Sequence, residues 1–533
     1  MSNALSDLVR LARAGLVFAE YGVRFVPKGQ PVPLLLTAAQ WASWPLRIVM
    51  RPFRPRLKPG EPPLAAALAR LGPSYIKAGQ FLAARPDLIG ASLASDLSGL
   101  QDRMAPFPQA EARRMIEETF GKPLNELFAE FGPPVAAASI AQVHKAVTVD
   151  ADGARREVAV KVLRPGIEAR FAADIGSFYF AARQAELWHP PIRRLRPVAV
   201  VDTLHRSMTI ETDLRMEAAA ISEMAANTAD DVGFRVPTID WQRTGSNVLT
   251  IEWIEGTQMS DVAGLRAAGL DLKLLGEDLI RHFLRHAMRD GFFHADMHQG
   301  NLFVDAAGTI VAVDFGIMGR LSGKERRFLA EILLGFLTRD YMRAAQAHFA
   351  AGYVPETQSV AVFAQALRAI GEPLMGRPAE EISMGHLLGQ LFAYTDVFDM
   401  QTRPELILLQ KTMVVVEGVA RTLDPTLNIW TAAEPVVKDW MQRALGMEGR
   451  LREAGEGAGQ MGKALADLPM MLLHAERTAD AFSGMARDGL RLDDDTVRRI
   501  GEGQARGGRL WRWAMLAALA TVVGVMVWRG WAQ

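Results

Sequence analysis

The sequence of 533 residues predicts an α+β fold in which a small sheet is followed by a helical lobe. Strand-like runs rich in β-branched residues are confined to one part of the chain, at 135–149, 157–163 and 247–253. Apolar residues at helical spacing dominate the chain on either side of that part. A further pair of short apolar runs, at 301–314, indicates one hairpin inside the helical lobe.

Composition excludes several classes of protein. The chain is 49% hydrophobic and 23% charged, which is enough apolar surface for a large core and excludes a wholly disordered chain. Lys+Arg and Asp+Glu each number 60, so we expect no nucleic-acid partner of the globally basic kind. The sequence has no cysteine, which excludes disulfides, cysteine zinc sites, iron–sulfur clusters and thiol nucleophiles.

The first 60 residues form a basic amphipathic segment. They carry nine Lys and Arg residues against only Asp7 and Glu20. Leu5, Leu8 and Leu11 recur among these charges at roughly helical spacing. Two interpretations fit this pattern: the segment lies on an anionic membrane surface, or it is a solvated helix packed against the main body.

An uncharged apolar segment lies near the other end, from Trp513 to Trp528, with arginines on both sides. These 16 residues span about 24 Å as a helix, less than the ~30 Å hydrocarbon core of a bilayer. Flanking tryptophans and snorkelling arginines extend the reach, so we expect a transmembrane helix at 509–531. The arginine excess on its N-terminal side predicts a cytoplasmic main body. A buried helix of a soluble protein is the alternative.

Two acidic motifs indicate phosphoryl chemistry. Asp296 and Asn301 lie five residues apart in FFHADMHQGNLFV, which is the spacing of the kinase catalytic loop. Phosphoryl transfer requires a carboxylate near the nucleophile and an amide oxygen that holds a metal ion. Asp314 follows an apolar run and precedes Phe315-Gly316, where a second carboxylate can bridge Mg²⁺ to a nucleotide. The sequence therefore assigns a catalytic role to Asp296 and metal binding to Asn301 and Asp314.

Lys161 lies inside the strand-like run EVAVKVLRP. A lysine in a strand is most often an edge charge, but this run is similar to the kinase strand whose lysine contacts the nucleotide phosphates and a helix glutamate. Glu217, in the alanine-rich ETDLRMEAAA, is the candidate partner. The sequence separation between the two residues is longer than in ordinary kinases, which predicts an insertion between them.

A kinase carries a glycine-rich loop before this strand, and alanine stands here at each expected glycine position. Because alanine has a Cβ, positive φ costs more and the backbone approaches phosphates less freely. We expect a stiffer loop that still contacts nucleotide but hinders transfer to an external substrate. Its residues are Ala136, Ala137, Ala138, Ser139, Ile140 and Ala141.

Taken together, six segments resemble the UbiB family of aarF-domain atypical kinases, which is tied to ubiquinone biosynthesis. The resemblance runs from about residue 60 to about residue 440, and the apolar terminal segment suits bacterial members. The alanine-rich loop combined with a K-x-G-Q helix is its most specific part. The six segments are Lys77–Gln80, Ala136–His144, Val158–Ile167, Glu211–Ala218, Phe292–Asn301 and Val313–Gly316.

The resemblance implies a protein-kinase-like two-lobe fold with a helical extension at its N-terminal side. By family analogy Lys77 and Gln80, one helical turn apart, lie over the active site. Lys77 pairs with the E-x-D residues Glu211 and Asp213 in this analogy, which occludes the space of a peptide substrate. We expect a regulatory role for these four residues. HAD in place of HRD, and the lack of an A-P-E after Gly316, argue against regulation by activation-loop phosphorylation.

The sequence thus predicts a membrane-anchored, atypical kinase-like ATPase that supports ubiquinone biosynthesis at a bacterial-type inner membrane. ATP and Mg²⁺ are the expected cofactors. Membrane lipid or polyprenylated quinone precursors, with other ubiquinone-biosynthesis proteins, are the expected partners. A non-catalytic nucleotide-binding scaffold and a true protein kinase are the alternatives. The expected organisation is a basic segment (1–60), a helical extension (61–131), an N-lobe with a helical insertion (132–256), a helical C-lobe (257–450), a glycine-rich linker (451–508) and the membrane helix (509–531).

Overall fold

A computed structural model describes residues 4–23, 62–83, 104–150, 152–188, 196–375 and 404–445, with isolated positions at 55, 57, 89, 93, 96, 97, 100, 397, 398 and 400. The chain divides into two compact units, Met1–Ala444 and Leu445–Gln533. The linker and membrane helix predicted at 451–531 lie outside the described residues. Among the residues that are described, no helix combines the length and apolar character needed to cross a membrane.

The described chain contains ten short strands and fifteen α-helices. The strands are β1 (Glu130–Ala137), β2 (Ala141–Val149), β3 (Arg155–Leu163), β4 (Phe234–Arg235), β5 (Val248–Glu252), β6 (Thr257–Gln258), β7 (Phe292–His294), β8 (Leu302–Val304), β9 (Ile310–Ala312) and β10 (Met318–Arg320). The helices are α1 (Ala4–Glu20), α2 (Pro63–Leu71), α3 (Pro73–Ala83), α4 (Gln109–Phe120), α5 (Leu124–Leu127), α6 (Ile167–Trp188), α7 (Pro197–Glu211), α8 (Leu214–Asn227), α9 (Val262–Ala267), α10 (Leu272–Arg285), α11 (Gly323–Leu337), α12 (Tyr341–Ala350), α13 (Val360–Met375), α14 (Pro404–Leu423) and α15 (Ile429–Leu445).

The first sheet is antiparallel, with the strand order β1-β2-β3-β5. Side chains of β3 alternate between its two faces. Val158, Val160 and Val162 are buried and pack with Ala112 and Ile116 of α4. The same alternation places Lys161 on the opposite face of the sheet. The β-branched run therefore does two things at once: it anchors β3 to α4 and aims a lysine away from that core.

Helices α6 and α7 fill the long separation between β3 and α8, as the sequence predicted for an insertion. A separate apolar core holds α1, α2 and α3 together. Of the two interpretations of the N-terminal segment, packing against the main body is the one observed for α1. Buried members of this core include Ala14, Leu64, Ala67, Leu68 and Ile76.

The largest core lies in the helical lobe and joins α8, α10, α11, α14 and α15 to the short strands. The predicted hairpin is present as β8 and β9, which pair antiparallel with Leu302 opposite Ala312. Two features were not predicted: β4 and β6 extend this hairpin to the order β4-β9-β8-β6, and β7 pairs with β10. Strands of two or three residues are too short to show a periodicity of two in the sequence.

Candidate functional site

Three charged side chains from distant parts of the chain meet at the open face of β3. The Lys161 ammonium lies 2.8 and 2.9 Å from the two carboxylate oxygens of Glu217 on α8. The same ammonium lies 2.8 Å from Oδ1 of Asp314, just after β9. The Lys161 and Glu217 side chains are 15% and 8% exposed, whereas that of Asp314 is 48% exposed. Two carboxylates thus share one ammonium at the edge of solvent.

The charges in this cluster shift one another's protonation. Burial works against the charged form of Lys161, but Asp314 and Glu217 outweigh it and raise the pKa of the ammonium. The Lys161 charge holds the pKa of Asp314 well below its ordinary value. Burial raises the pKa of Glu217, and Lys161 opposes that rise. Lys161 and Asp314 are therefore both charged at neutral pH, which is the state a cation- and phosphate-binding site needs.

Asp314 has an unusual backbone conformation. Its φ of 61° lies in the left-handed region, which only three non-glycine residues of the described chain adopt. Strain of this kind persists where the surrounding structure imposes it, and it concentrates at functional sites. The backbone N–H of Val313 donates to the carbonyl of Asn301 at 2.8 Å, which extends the pairing of β8 and β9 by one residue. Asn301 and Asp314 therefore lie at the same end of the hairpin.

Asn301 is buried, and its amide is oriented by one hydrogen bond. Its Nδ2 donates to the carbonyl of Asp296 at 3.1 Å. Within the described part of the chain, no group donates to its Oδ1. This amide oxygen, together with the half-exposed carboxylate of Asp314, forms the kind of oxygen pair that Mg²⁺ prefers. The donor set therefore fits a hard divalent cation.

His294 joins the two motif loops. The backbone N–H of Asp296 donates to its Nδ1 at 3.1 Å, and its Nε2 donates to the carbonyl of Val313 at 3.1 Å. This pattern fixes a neutral imidazole, and burial lowers the pKa of His294 in agreement with it. The Asp296 side chain is 36% exposed, with its Oδ2 3.7 Å from Nε2 of His298. Asp296 is thus held by its backbone while its carboxylate faces solvent.

The alanine-rich loop is the turn between β1 and β2, and none of its residues has positive φ. Arg164 fastens the turn: its Nε and Nη2 donate to the carbonyl of Ala138 at 3.1 and 2.8 Å, and Nη2 also donates to that of Ala105 at 2.9 Å. Ser139 is fully buried, and its Oγ has no hydrogen-bond partner among the described residues. Ile140 and Ala141 are buried, whereas Ala136 and Ala137 end β1 nearer the surface.

Helix α3 brings Lys77 beside this cluster. The buried Lys77 ammonium lies 2.7 Å from Glu211, the last residue of α7. Its charge also contributes, after that of Lys161, to the low pKa of Asp314. Gly79 allows the close packing of α3, because a Cβ there would lie 2.7 Å from Cδ1 of Leu68.

The other two predicted regulatory residues have different surroundings. Gln80 Nε2 reaches the carbonyl of Leu100 at 3.5 Å, and its buried Oε1 has no hydrogen-bond partner in the described chain. The prediction that Asp213 pairs with Lys77 needs correction. Asp213 is the N-cap of α8, and its carboxylate accepts hydrogen bonds from the backbone N–H and the guanidinium of Arg215. The helix begins at this position, so the cap determines where the carboxylate points.

A second charged cluster lies in the helical lobe and was not predicted. Asp231, His282 and His286 each bring a potential metal-ligand atom within 4.8 Å of the others. However, Arg289 donates to both oxygens of Asp231, at 2.6 and 3.0 Å, and His286 Nε2 lies 3.2 Å from Oδ2. The Asp231 side chain is only 4% exposed. Its charge is already neutralised, so this cluster has a structural role.

Sequence reasoning also missed Arg164 and Ser139 as parts of the site, and it missed the bridging contacts of His294. The histidine of HAD was visible as a motif residue, but only the structure shows that it bridges two loops. The only sequence signal for Arg164 is its position, which directly follows the strand that carries the predicted lysine. The buried Ser139 carries no comparable signal, because a serine among alanines is equally typical of an exposed turn.

The chain is similar to several known proteins. An ABC1 atypical kinase-like domain matches residues 99–348, and a UbiB helical domain matches residues 367–428. A probable protein kinase UbiB of Marinobacter nauticus is 37% identical over 532 residues, covering 98% of this chain and 94% of that protein. A probable protein kinase UbiB of Xanthomonas euvesicatoria is 37% identical over 482 residues, covering 88% of this chain and 85% of that protein. The solved complex of Rv3197 with erythromycin from Mycobacterium tuberculosis aligns with 75% of this chain and 98% of that chain, at 22% identity and a TM-score of 0.47.

Proposed function

This chain belongs to the UbiB family of ABC1 atypical kinase-like proteins, and from that premise we propose that it is a membrane-anchored ATPase supporting ubiquinone biosynthesis. The observation that carries the proposal is the convergence of Lys161, Glu217 and Asp314 at one half-open site. A lysine held by a helix glutamate and aimed at an exposed carboxylate is the arrangement that positions nucleotide phosphates in kinases.

In the proposed mechanism, Asp314 and the Oδ1 of Asn301 would hold Mg²⁺, which would neutralise negative charge on the nucleotide phosphates. Lys161 contacts the phosphates, and Glu217 keeps the ammonium in place. Asp296 orients the attacking water and accepts its proton, so that the γ-phosphate leaves as inorganic phosphate and ADP remains. His294 keeps the Asp296 backbone and the Asp314 strand at a constant separation.

Hydrolysis is favoured over transfer to a protein by what surrounds the cluster. Lys77, paired with Glu211, lies near enough to Asp314 to affect its pKa, in the region where we expect a peptide substrate to be excluded. The catalytic loop also has Ala295 in place of the arginine that grips a phosphorylated activation loop. The proposed role for the released free energy is to present polyprenylated, water-insoluble intermediates to the enzymes that modify them.

Membrane attachment through residues 509–531 is part of the same proposal and is supported by the sequence alone. An apolar helix flanked by tryptophans and arginines would keep the ATPase close to substrates that partition into lipid. ATP-dependent small-molecule phosphorylation at this site is included in the proposal, since Asp296 can orient a hydroxyl as readily as water.

A second candidate function is a nucleotide-binding scaffold without catalysis. The hydrogen bonds from Arg164 to the carbonyl of Ala138 favour this function, because they stiffen the loop. A stiff loop can hold a nucleotide, but it does not adjust its position as the phosphate moves during a reaction. Steady-state phosphate release by the full chain with Mg-ATP separates the two functions. The ATPase predicts turnover that falls at least about 100-fold in both Asp296→Asn and Lys161→Ala. Equal release from all three proteins would leave only the scaffold.

The pathway assignment has its own test. A strain that lacks this protein is expected to contain less ubiquinone, and the Lys161→Ala variant is expected not to restore it. An unchanged quinone level in the deletion strain would refute the pathway while leaving the ATP chemistry intact.

A further inference from the structure

The carbonyl of Ala295, the residue directly before Asp296, is held by a helix from a distant part of the chain. Thr412 lies on α14, 117 residues away, and its Oγ1 donates to the Ala295 carbonyl at 3.0 Å. Both residues are buried, with Thr412 1% and Ala295 2% exposed. In the part of the chain that the structure describes, no other group donates to this carbonyl. Thr412 therefore supplies the hydrogen bond that a buried carbonyl requires.

The Thr412 hydroxyl also lies 2.8 Å from the carbonyl of Leu408 in its own helix. Contacts of this kind are common for threonine in helices, and the Leu408 carbonyl already accepts a backbone N–H in the regular helix pattern. Loss of the hydroxyl would therefore leave the Ala295 carbonyl unsatisfied, but not that of Leu408. Thr422, on the same helix, donates to the carbonyl of Gly418 at 2.9 Å but is exposed, so it offers a matched comparison.

The backbone around Asp296 is fixed on both sides. In the peptide unit before it, Thr412 holds the carbonyl of Ala295, and the N–H of Asp296 donates to Nδ1 of His294 at 3.1 Å. In the peptide unit after it, the carbonyl of Asp296 accepts from Nδ2 of Asn301 at 3.1 Å. Because each peptide unit is planar, these bonds determine the direction in which the Asp296 side chain leaves the backbone.

The core fixes the rotation of α14 that brings Thr412 to this loop. Leu409, Met413 and Val416 lie on the same side of the helix as Thr412 and are buried in the largest core, together with Met297 of the loop. Helix α14 lies in the segment 367–428 that matches the UbiB helical domain, whereas the loop lies in the segment 99–348 that matches the kinase-like domain. A residue of one domain thus orients the backbone of the other.

We propose that Thr412 is a positioning residue for Asp296, through which the helical domain supports the chemistry of the kinase-like domain. Because it is buried, Thr412 acts only through the Ala295 carbonyl. The inference rests on the proposed function for the role of Asp296, which is to orient the nucleophile. A displaced Asp296 would slow the chemical step, whereas Lys161 and Asp314 would still bind the nucleotide through contacts of their own.

The test uses the full chain and three variants. Thr412→Val keeps the shape of the side chain without its hydroxyl, Thr412→Ser keeps the hydroxyl, and Thr422→Val removes a hydroxyl that bonds to its own helix. We expect Thr412→Val to lower kcat for phosphate release about tenfold per folded molecule and to change the KM for Mg-ATP less than about twofold. Thr412→Ser and Thr422→Val should each keep kcat within about twofold of the wild type.

Amide hydrogen exchange gives a second readout that does not depend on activity. It is measured by mass spectrometry on a fragment that contains residues 293–301. If Thr412 holds this loop, exchange in the fragment should be at least about threefold faster in Thr412→Val and should stay at the wild-type rate in Thr412→Ser.

Three outcomes would overturn the inference. The first is wild-type exchange and kcat in Thr412→Val. The second is a loss of stability in that variant with unchanged turnover per folded molecule, which would describe a purely structural residue. The third is an equal effect of valine and serine, since the hydroxyl would then not be responsible. If the wild type itself released no phosphate, the proposed ATPase would fail, and the exchange rates would still decide whether Thr412 holds the loop.

Discussion

The two charged clusters described above contain similar side chains but differ in their exposure to solvent. Around Lys161, two carboxylates share one ammonium, and Asp314 remains 48% exposed with a left-handed backbone. Around Asp231, a carboxylate that is 4% exposed is held by Arg289 and His286, and Arg289 also binds the buried carboxylate of Asp290. The first cluster leaves one carboxylate open to solvent, whereas both carboxylates of the second are enclosed. Exposure and backbone strain together distinguish a binding site from a structural ion pair.

The largest expected effect comes from removing the exposed carboxylate of the first cluster. Asp314→Asn should lower steady-state ATP hydrolysis by at least about 100-fold, because a proposed metal ligand and a partner of Lys161 are lost together. Asp230→Asn, an exposed aspartate next to the closed cluster, is the matched control and should leave turnover unchanged. A drop of less than about threefold in Asp314→Asn would remove this cluster from the chemistry.

The closed cluster should respond in stability rather than in activity. Asp231→Ala removes the buried carboxylate that His286 and Arg289 both contact, although Arg289 keeps its ion pair with Asp290. We expect the free energy of unfolding to fall by about 2 kcal/mol. Denaturant titration measures this loss, and Asp230→Ala should change stability by less than about 0.5 kcal/mol. Turnover per folded molecule should stay at the wild-type value. If Asp231→Ala instead abolished turnover with stability intact, the contrast between the clusters would be wrong.

A smaller effect is expected in how the free energy of unfolding depends on pH. Burial, with the nearby charges of His286 and Arg285, lowers the pKa of His282 to about 3. Because the unfolded histidine has a pKa near 6.5, the unfolded chain takes up this proton first as the pH falls. The stability contributed by neutral His282 is therefore present above about pH 6.5 and declines between that value and about pH 3.

His282→Phe should remove the contribution of His282 to the pH dependence of stability. His282 Nδ1 is buried without a hydrogen-bond partner in the described chain, and the ring packs against Phe234, so phenylalanine suits the position. Between pH 7.5 and pH 5.5 the wild type should lose about 1 kcal/mol more stability than the variant. The exposed His205→Phe is the control, and its pH profile should match the wild type. Identical profiles for all three proteins would contradict the assignment to His282.

Sequence reasoning reached the first cluster because its motifs carry residue type and spacing together. The β-branched run around Lys161 predicts a strand, and strand alternation then determines the face on which the lysine lies. The sequence did not predict the second cluster, because Asp231 is 55 and 58 residues from His286 and Arg289 and no motif connects them. Asp213 was misplaced for a different reason. The family resemblance implied that it shares the role of Glu211, whereas the start of α8 assigns its carboxylate to capping.

The central claim is that Asn301 and Asp314 hold a divalent cation against a triphosphate beside Lys161. Calorimetric titration of the full chain with ATP, in Mg²⁺ and in EDTA, tests it most directly. The account predicts that Mg²⁺ tightens ATP binding at least about tenfold in the wild type and that Asn301→Ala and Asp314→Asn each lose this gain. Equal ATP affinity with and without Mg²⁺, or a gain that both variants retain, would contradict it.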